Sequence, residues 1–96
     1  MNVRFTSAAY RELTEAAEYY EDRQPGLSHR FLSEVEAAVE RIERYPEMWA
    51  RVSPRLRRCL VHRFPFAVFY HADAEEIQIV AVADLRRDPE RWEHLL

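Results

Sequence analysis

The spacing of apolar residues changes period once along this chain, at Pro46, and that change limits the fold more than any other feature. Before Pro46 the apolar residues recur every three or four positions, as on one face of a helix; after it they alternate or run together, as in strands. Tyr10, Leu13, Ala17 and Tyr20 make a first helical stripe. Thr6 and Ser7 stand before it as N-cap candidates, Glu12 and Glu15 sit early, and Arg23 sits late, where the helix dipole favours a cation. Phe31, Val35, Ala38, Val39 and Ile42 make a second stripe, with Arg30–Glu34 and Glu40–Arg44 as i,i+4 pairs on its wet side. Between them lies Gln24-Pro25-Gly26-Leu27-Ser28, which holds the chain's one glycine. It reads as a stop and a tight reversal, with Ser28 available to cap the next helix. Two helices of about 17 residues joined by so short a link predict an antiparallel hairpin.

Beyond Pro46, residues 47–55 read as a loop that tucks Met48, Trp49 and Val52 onto the core. Leu56 to Arg63 alternates: Leu56, Arg58, Leu60 and His62 fall on one face, Arg57, Cys59, Val61 and Arg63 on the other. Phe64 to Tyr70 is apolar on both faces, which suits a central strand covered on both sides, with Pro65 at its start because proline donates no ladder hydrogen bond. A turn at Asp73-Ala74-Glu75 leads to a second buried strand, Ile77 to Ala83. Val3 and Phe5 alternate as a short N-terminal strand would, and Arg86 to Trp92 is a charged turn anchored by Trp92. The predicted order is β-α-α-β-β-β. This is an α+β fold with an N-terminal strand and an antiparallel helical hairpin packed on one face of a small antiparallel sheet. Residues 1–96 read as a single domain.

The charge is informative in its layout. All 14 basic residues are arginine, which holds its charge at physiological pH and grips carboxylate or phosphate with a two-pronged fork. The formal net charge is −3, yet residues 51–72 hold Arg51, Arg55, Arg57, Arg58 and Arg63 and no acid. Such a patch either meets an anionic partner, nucleic acid or acidic protein, or keeps a strand edge solvated; the two readings stand side by side. Cys59 is alone, which excludes an internal disulfide and reads as core filler. The four histidines and Cys59 lack metal-ligand spacing, and one glycine cannot build a phosphate loop, so no cofactor or metal is expected. No apolar run approaches the ~20 residues needed to cross a bilayer. The segment Met1-Asn2-Val3-Arg4-Phe5 lacks the apolar stretch of a signal peptide, so a cytoplasmic protein is expected.

Three stretches, taken in order, resemble one family. Tyr19-Tyr20-Glu21, Pro25-Gly26-Leu27, Arg30-Phe31 and Glu34-Val35, closed by Ile42 and Tyr45-Pro46, look like the helical hairpin of RelE/ParE toxins. Arg57 through Tyr70 resembles their central strands, and Val80 through Trp92 their last strand and tail. The resemblance spans essentially the whole chain. It implies the toxin half of a type II toxin–antitoxin, plasmid-stabilisation type pair: growth arrest when free, and neutralisation by a cognate antitoxin. Within the superfamily, RelE-like members cut messenger RNA in the ribosomal A site, whereas ParE-like members poison DNA gyrase.

Cutting RNA through its 2′-OH needs a base, positive charge on the pentavalent phosphate, and an acid for the leaving oxygen. RelE-like enzymes carry an arginine three residues before the tyrosine of the central strand; this chain has Ala67 before Tyr70. Many relatives carry a histidine at the end of the last strand; this chain has Asp84. A degenerate ribonuclease would rest on Arg57, Arg58, His62 and Arg63, with His62 or His71 moving protons. Those two histidines fall on different predicted strands and form no pair by spacing. Asp84 beside Arg86 and Arg87 reads as a structural ion pair, and Tyr70 and Trp92 read as core. The damaged ribonuclease pattern and the acidic net charge favour a ParE-like toxin that binds gyrase over a ribosome-dependent nuclease. An inactive antitoxin-binding module is the third reading. In each, Arg55, Arg57, Arg58, Arg63, Arg86 and Arg87 are the expected contacts to target or antitoxin.

Overall fold

The computed structural model describes residues 2–87. The N-terminal strand β1 (Asn2–Phe5) leads into helix α1 (Ser7–Arg23) and helix α2 (Leu27–Arg44). Strands β2 (Ala50–Arg51), β3 (Arg57–Leu60), β4 (Phe66–Ala72) and β5 (Glu76–Asp84) follow. They form one five-stranded sheet in the order β1-β5-β4-β3-β2, antiparallel except for β1, which runs parallel to β5. The expected α+β sandwich is what forms, with one addition. Ala50–Arg51 enters the sheet as a two-residue edge strand where a loop was expected.

Each helix end has a physical cause. The Thr6 hydroxyl accepts the Ala9 N–H and starts α1. Gly26 turns the chain at φ +88°, a left-handed conformation that favours glycine. Ser28 does not cap α2 as expected. It lies within the first turn, and its N–H, its hydroxyl and the Gly26 N–H all donate to the Glu21 carboxylate, which reaches across from α1. Those donors hold the Glu21 carboxyl below its ordinary range, as the positive end of a helix also favours. At the other end Tyr45 donates its N–H to the Arg41 carbonyl, and Pro46 stops the helix.

α1 packs over β5, and α2 over β3 and β4. Phe31, Val35, Ala38 and Ile42 of α2 are buried as the stripe predicted, with Val39 partly so. On α1 the stripe is rotated. Ala9 is fully buried, followed by Leu13, Ala16, Ala17 and Tyr20, while Tyr10 is 62% exposed. The first turn lies against the sheet, where alanine fits, and the next residue is carried about 100° round the helix into solvent. The pair expected between Arg30 and Glu34 is replaced by Glu34 at 3.6 Å from Arg63. Of the three loop residues expected in the core, Trp49 packs against it, with its indole N–H donating to the Arg41 carbonyl. Met48 and Val52 are exposed, because pairing of residues 50–51 with β3 leaves both on the rim.

The joint between helices and sheet is aromatic. Phe31 sits 5.0 Å from Phe66, 5.2 Å from Phe64 and 5.2 Å from Tyr20, measured between ring centroids. A register shift lies beside it in the sheet: Phe69 pairs with Ala81 but Tyr70 with Ile79, so Val80 is bulged. The bulge changes which face the residues beyond it occupy. Ile77, Ile79 and Val82 therefore all join the helix-side core, and Ala81 turns away from it. β5 runs on past the end of β1, and there the Val82 N–H donates to the Glu12 carboxylate. Truncating the joint should be costly. Phe31→Ala is expected to lower the unfolding free energy by about 3–5 kcal/mol in urea titrations with the m-value unchanged. A loss under about 1 kcal/mol would place the joint elsewhere.

Candidate functional site

The six arginines expected to form one docking face occupy three different surroundings. Sheet alternation separates Arg57 from Arg58. Arg57 pairs with Tyr70 on the helix side, and Arg58 pairs with Phe69 on the other face. β3 ends at Leu60, short of the Arg63 expected on it, and residues 61–65 turn back towards β4. Arg63 sits in that turn at φ +70° and faces Glu34 of α2. Arg86 follows β5 at the same end of the sheet. Its Nε and Nη2 donate to the Asp84 carboxylate at 3.1 and 2.9 Å. The Arg86 and Arg87 N–H groups donate to the Asp84 side chain and carbonyl, which makes Asp84–Arg86 the structural ion pair expected. Arg55 lies in the β2–β3 loop at the opposite end. The two ends of β4 are six residues apart, about 20 Å at ~3.3 Å per residue.

At that opposite end lies a cleft of about 460 Å³. Its walls come from the loop after α2 (Pro46, Glu47), from the β2–β3 hairpin with Arg51, Arg55 and Arg57, and from the β4–β5 turn beside His71. Tyr70 closes the floor. Its ring is buried and its hydroxyl donates to the Pro46 carbonyl. Burial pushes that hydroxyl up to about 12 even beside the Arg57 guanidinium, so Tyr70 keeps its proton at neutral pH and does not act as a base. The His71 Nδ1 lies 3.0 Å from the Arg55 carbonyl and is its donor, since a carbonyl only accepts. Arg51 belongs to the cleft and was not among the expected contacts. Its i,i+6 spacing to Arg57 pointed to no common face until β2 paired with β3.

Around Ala67, where the ribonuclease pattern would have an arginine, the face away from the helices is apolar among the described residues. Ala67, Phe69 and Ala81 form a buried cluster on the side away from the helices, with Val80, Ala83 and Leu85 packed against it. Asp84, at the end of β5, is held below the ordinary carboxylate range, chiefly by the Arg86 hydrogen bonds. It is ionised at neutral pH and unsuited to donate a proton. His62 lies exposed in the turn beyond β3, while Arg57 sits at the far end of that strand. The four residues proposed for a degenerate site therefore do not converge. Cys59 is buried in the helix-side core, and burial pushes its thiol up, away from reactive thiolate. Trp92, Arg91 and His94 lie outside the described residues. No helix among the described residues is long and apolar enough to cross a membrane.

With this geometry in hand, comparison with known proteins is decisive. The family model described as the ParE toxin of the type II toxin–antitoxin system parDE matches residues 3–89. The chain belongs to the ParE toxin family. The fold agrees. The solved structure of a chromosomal ParDE toxin–antitoxin system from P. aeruginosa is similar at a TM-score of 0.77 and 19% identity, covering 88% of this chain and 96% of that one. No curated protein matches this chain. The RelE/ParE resemblance read from the sequence thus resolves to its ParE branch.

Two expectations test the geometry of this ParE-family toxin. Tyr70→Phe removes the bond to Pro46 and should cost about 1 kcal/mol. It should also abolish the tyrosinate absorbance step near 12, which a surface tyrosine would leave in place. Asp84→Asn should matter by pH. The lowered carboxyl stabilises the fold above the ordinary carboxylate range, and that contribution fades as pH falls through the lowered value. Thermal melts of the variant and parent should therefore differ at neutral pH and converge in acid; a constant gap would remove the Asp84 pairing as its cause.

Proposed function

We propose that this ParE-family protein arrests growth by binding DNA gyrase, without cutting RNA, and that a cognate antitoxin neutralises it. The observation that carries the reading is the buried cluster of Ala67, Phe69 and Ala81. Where an RNA-cutting relative would present a guanidinium to the scissile phosphate, this sheet presents a methyl group that is fully buried. A pentavalent phosphate needs positive charge at that point, and Ala67 does not supply it. Tyr70 and Asp84 are equally poor proton carriers, for the reasons given above. A protein target makes no such demand. It needs shape, apolar anchors and charge, and the surface offers Tyr10, Leu60, Met48 and the exposed arginines.

The antitoxin is proposed as a protein segment with acidic and apolar side chains. Arg87 is a better candidate for its carboxylates than Arg63 and Arg86, which already hold Glu34 and Asp84. Displacing an internal partner would reduce the gain from any new one. The toxin is placed in the cytoplasm, where gyrase and a co-expressed antitoxin would meet it.

The deciding experiment is a supercoiling assay with purified gyrase and the full chain. Supercoiling should fall as toxin is added and recover when the antitoxin is supplied. Gyrase unaffected at saturating toxin would remove the proposed target. Primer extension on translated messages after induction should show no cuts in the ribosomal A site; cuts there would return the ribonuclease reading.

A further inference from the structure

The cleft at the β2–β3 end has a chemistry that the gyrase reading does not use. We infer that it binds a terminal phosphate group, carried by a free nucleotide or by the 5′ end of a nucleic-acid strand. Arg51, Arg55 and Arg57 line it together. The ion pairs among the described residues include Arg4–Glu76, Arg63–Glu34 and Arg86–Asp84, and none of the three cleft arginines has a carboxylate ion-pair partner among the described residues. Two of them are nevertheless held in place. Arg51 donates one Nη1–H to the Pro54 carbonyl at 2.8 Å, and Arg57 donates one to the Trp49 carbonyl at 2.8 Å. A carbonyl anchor restricts the rotamer without cancelling the charge, and each guanidinium keeps its other N–H groups for a ligand.

The third cation rides on a fixed loop. The Ser53 hydroxyl accepts the Arg55 and Leu56 N–H groups, and His71 Nδ1 donates to the Arg55 carbonyl. Two acids border the cleft. The Asp73 Oδ1 is occupied by the N–H groups of Glu75 and Glu76, and Glu47 is exposed. The balance of charge inside is cationic, in a protein whose net charge is −3.

Shape selects among anions. The volume, about 460 Å³, lies in the range of small-molecule sites, roughly 300–1,000 Å³. The apolar wall is made of Pro46, Pro54, Ala72 and Ala74, which are small and offer no deep hole for the aromatic or aliphatic anchor of a peptide. A phosphate monoester presents three acceptor oxygens and a charge of about −1.5 to −2 at neutral pH, which matches three guanidinium forks better than a single carboxylate does.

The test uses the full chain labelled with nitrogen-15, titrated with inorganic phosphate, AMP, adenosine, and a dinucleotide with and without a 5′-phosphate. Phosphate and AMP should shift the Nε–H signals of Arg51, Arg55 and Arg57 saturably, and adenosine should not. The double variant Arg51→Gln, Arg55→Gln should weaken AMP by at least about tenfold, the loss of one charge-assisted bond. Arg87→Gln, at the other end of the sheet, should bind as the parent does; circular dichroism and Tm establish that both variants are folded. AMP binding more tightly than the 5′-phosphorylated dinucleotide assigns the site to free nucleotides, and the reverse order assigns it to strand ends. The inference is overturned if no phosphate probe saturates, or if the double variant binds AMP as tightly as the parent. It is likewise overturned if a glutamate-rich peptide saturates the cleft while phosphate does not. None of these outcomes depends on gyrase.

Discussion

Phe31 is the point at which the two layers of the molecule become one. It is fully buried, and its ring meets Phe64 and Phe66 of the sheet side and Tyr20 of the other helix. An amphipathic hairpin of two helices has no stable existence alone, because its apolar stripe must be removed from water. A small sheet has the same need on one face. The aromatic joint meets both needs at one end of the sheet. α2 then runs back along the sheet, burying Val35, Ala38 and Ile42, and delivers Pro46 to the opposite end. There Tyr70 donates its hydroxyl to the Pro46 carbonyl, so the cleft is built on a loop placed by the helix packing.

The same architecture sorts the arginines. At the aromatic end, Arg63 and Arg86 lie beside Glu34 and Asp84, and their charges serve the fold. At the cleft end, Arg51 and Arg57 are tied to main-chain carbonyls, which orient a guanidinium but leave its field intact. Solvated ion pairs contribute little to stability. Their larger effect here is on recognition, since a neutralised guanidinium attracts a partner less than one that still seeks an anion. A count of arginines along residues 51–72 treats all five alike; their partners make them different in kind.

The fold was legible because its signals are long. α2 offers five apolar positions at helical spacing, and Gly26 and Pro46 mark where the chain must turn or stop. What escaped the sequence is what depends on a single contact in space. Nothing local tells that Glu21 caps α2 from the neighbouring helix in place of Ser28. Simple alternation in β5 assigns Ala81 and Ile79 to one face, and the Val80 bulge separates them. Tyr10 was read into the core because tyrosine is large and the stripe tolerates it, yet the space against the sheet fits Ala9. The cleft was half legible. Arg55 and Arg57 stood out by charge, but Arg51 joined them through a two-residue strand too short to leave a pattern.

The bulge ties these threads to function. By shifting the face of the residues beyond it, it puts Ala81 beside Ala67 and Phe69, and Val82 into the helix-side core. The side of the sheet away from the helices thereby holds a buried apolar cluster around Ala67, the position at which the ribonuclease pattern would have an arginine. A charged side chain introduced there would have to be desolvated against Phe69, at a cost that burial alone does not return. An arginine placed at position 67 would therefore meet apolar packing rather than solvent. The alanine at position 67 and the packing of this face are thus one arrangement, because Ala67, Phe69 and Ala81 are buried together.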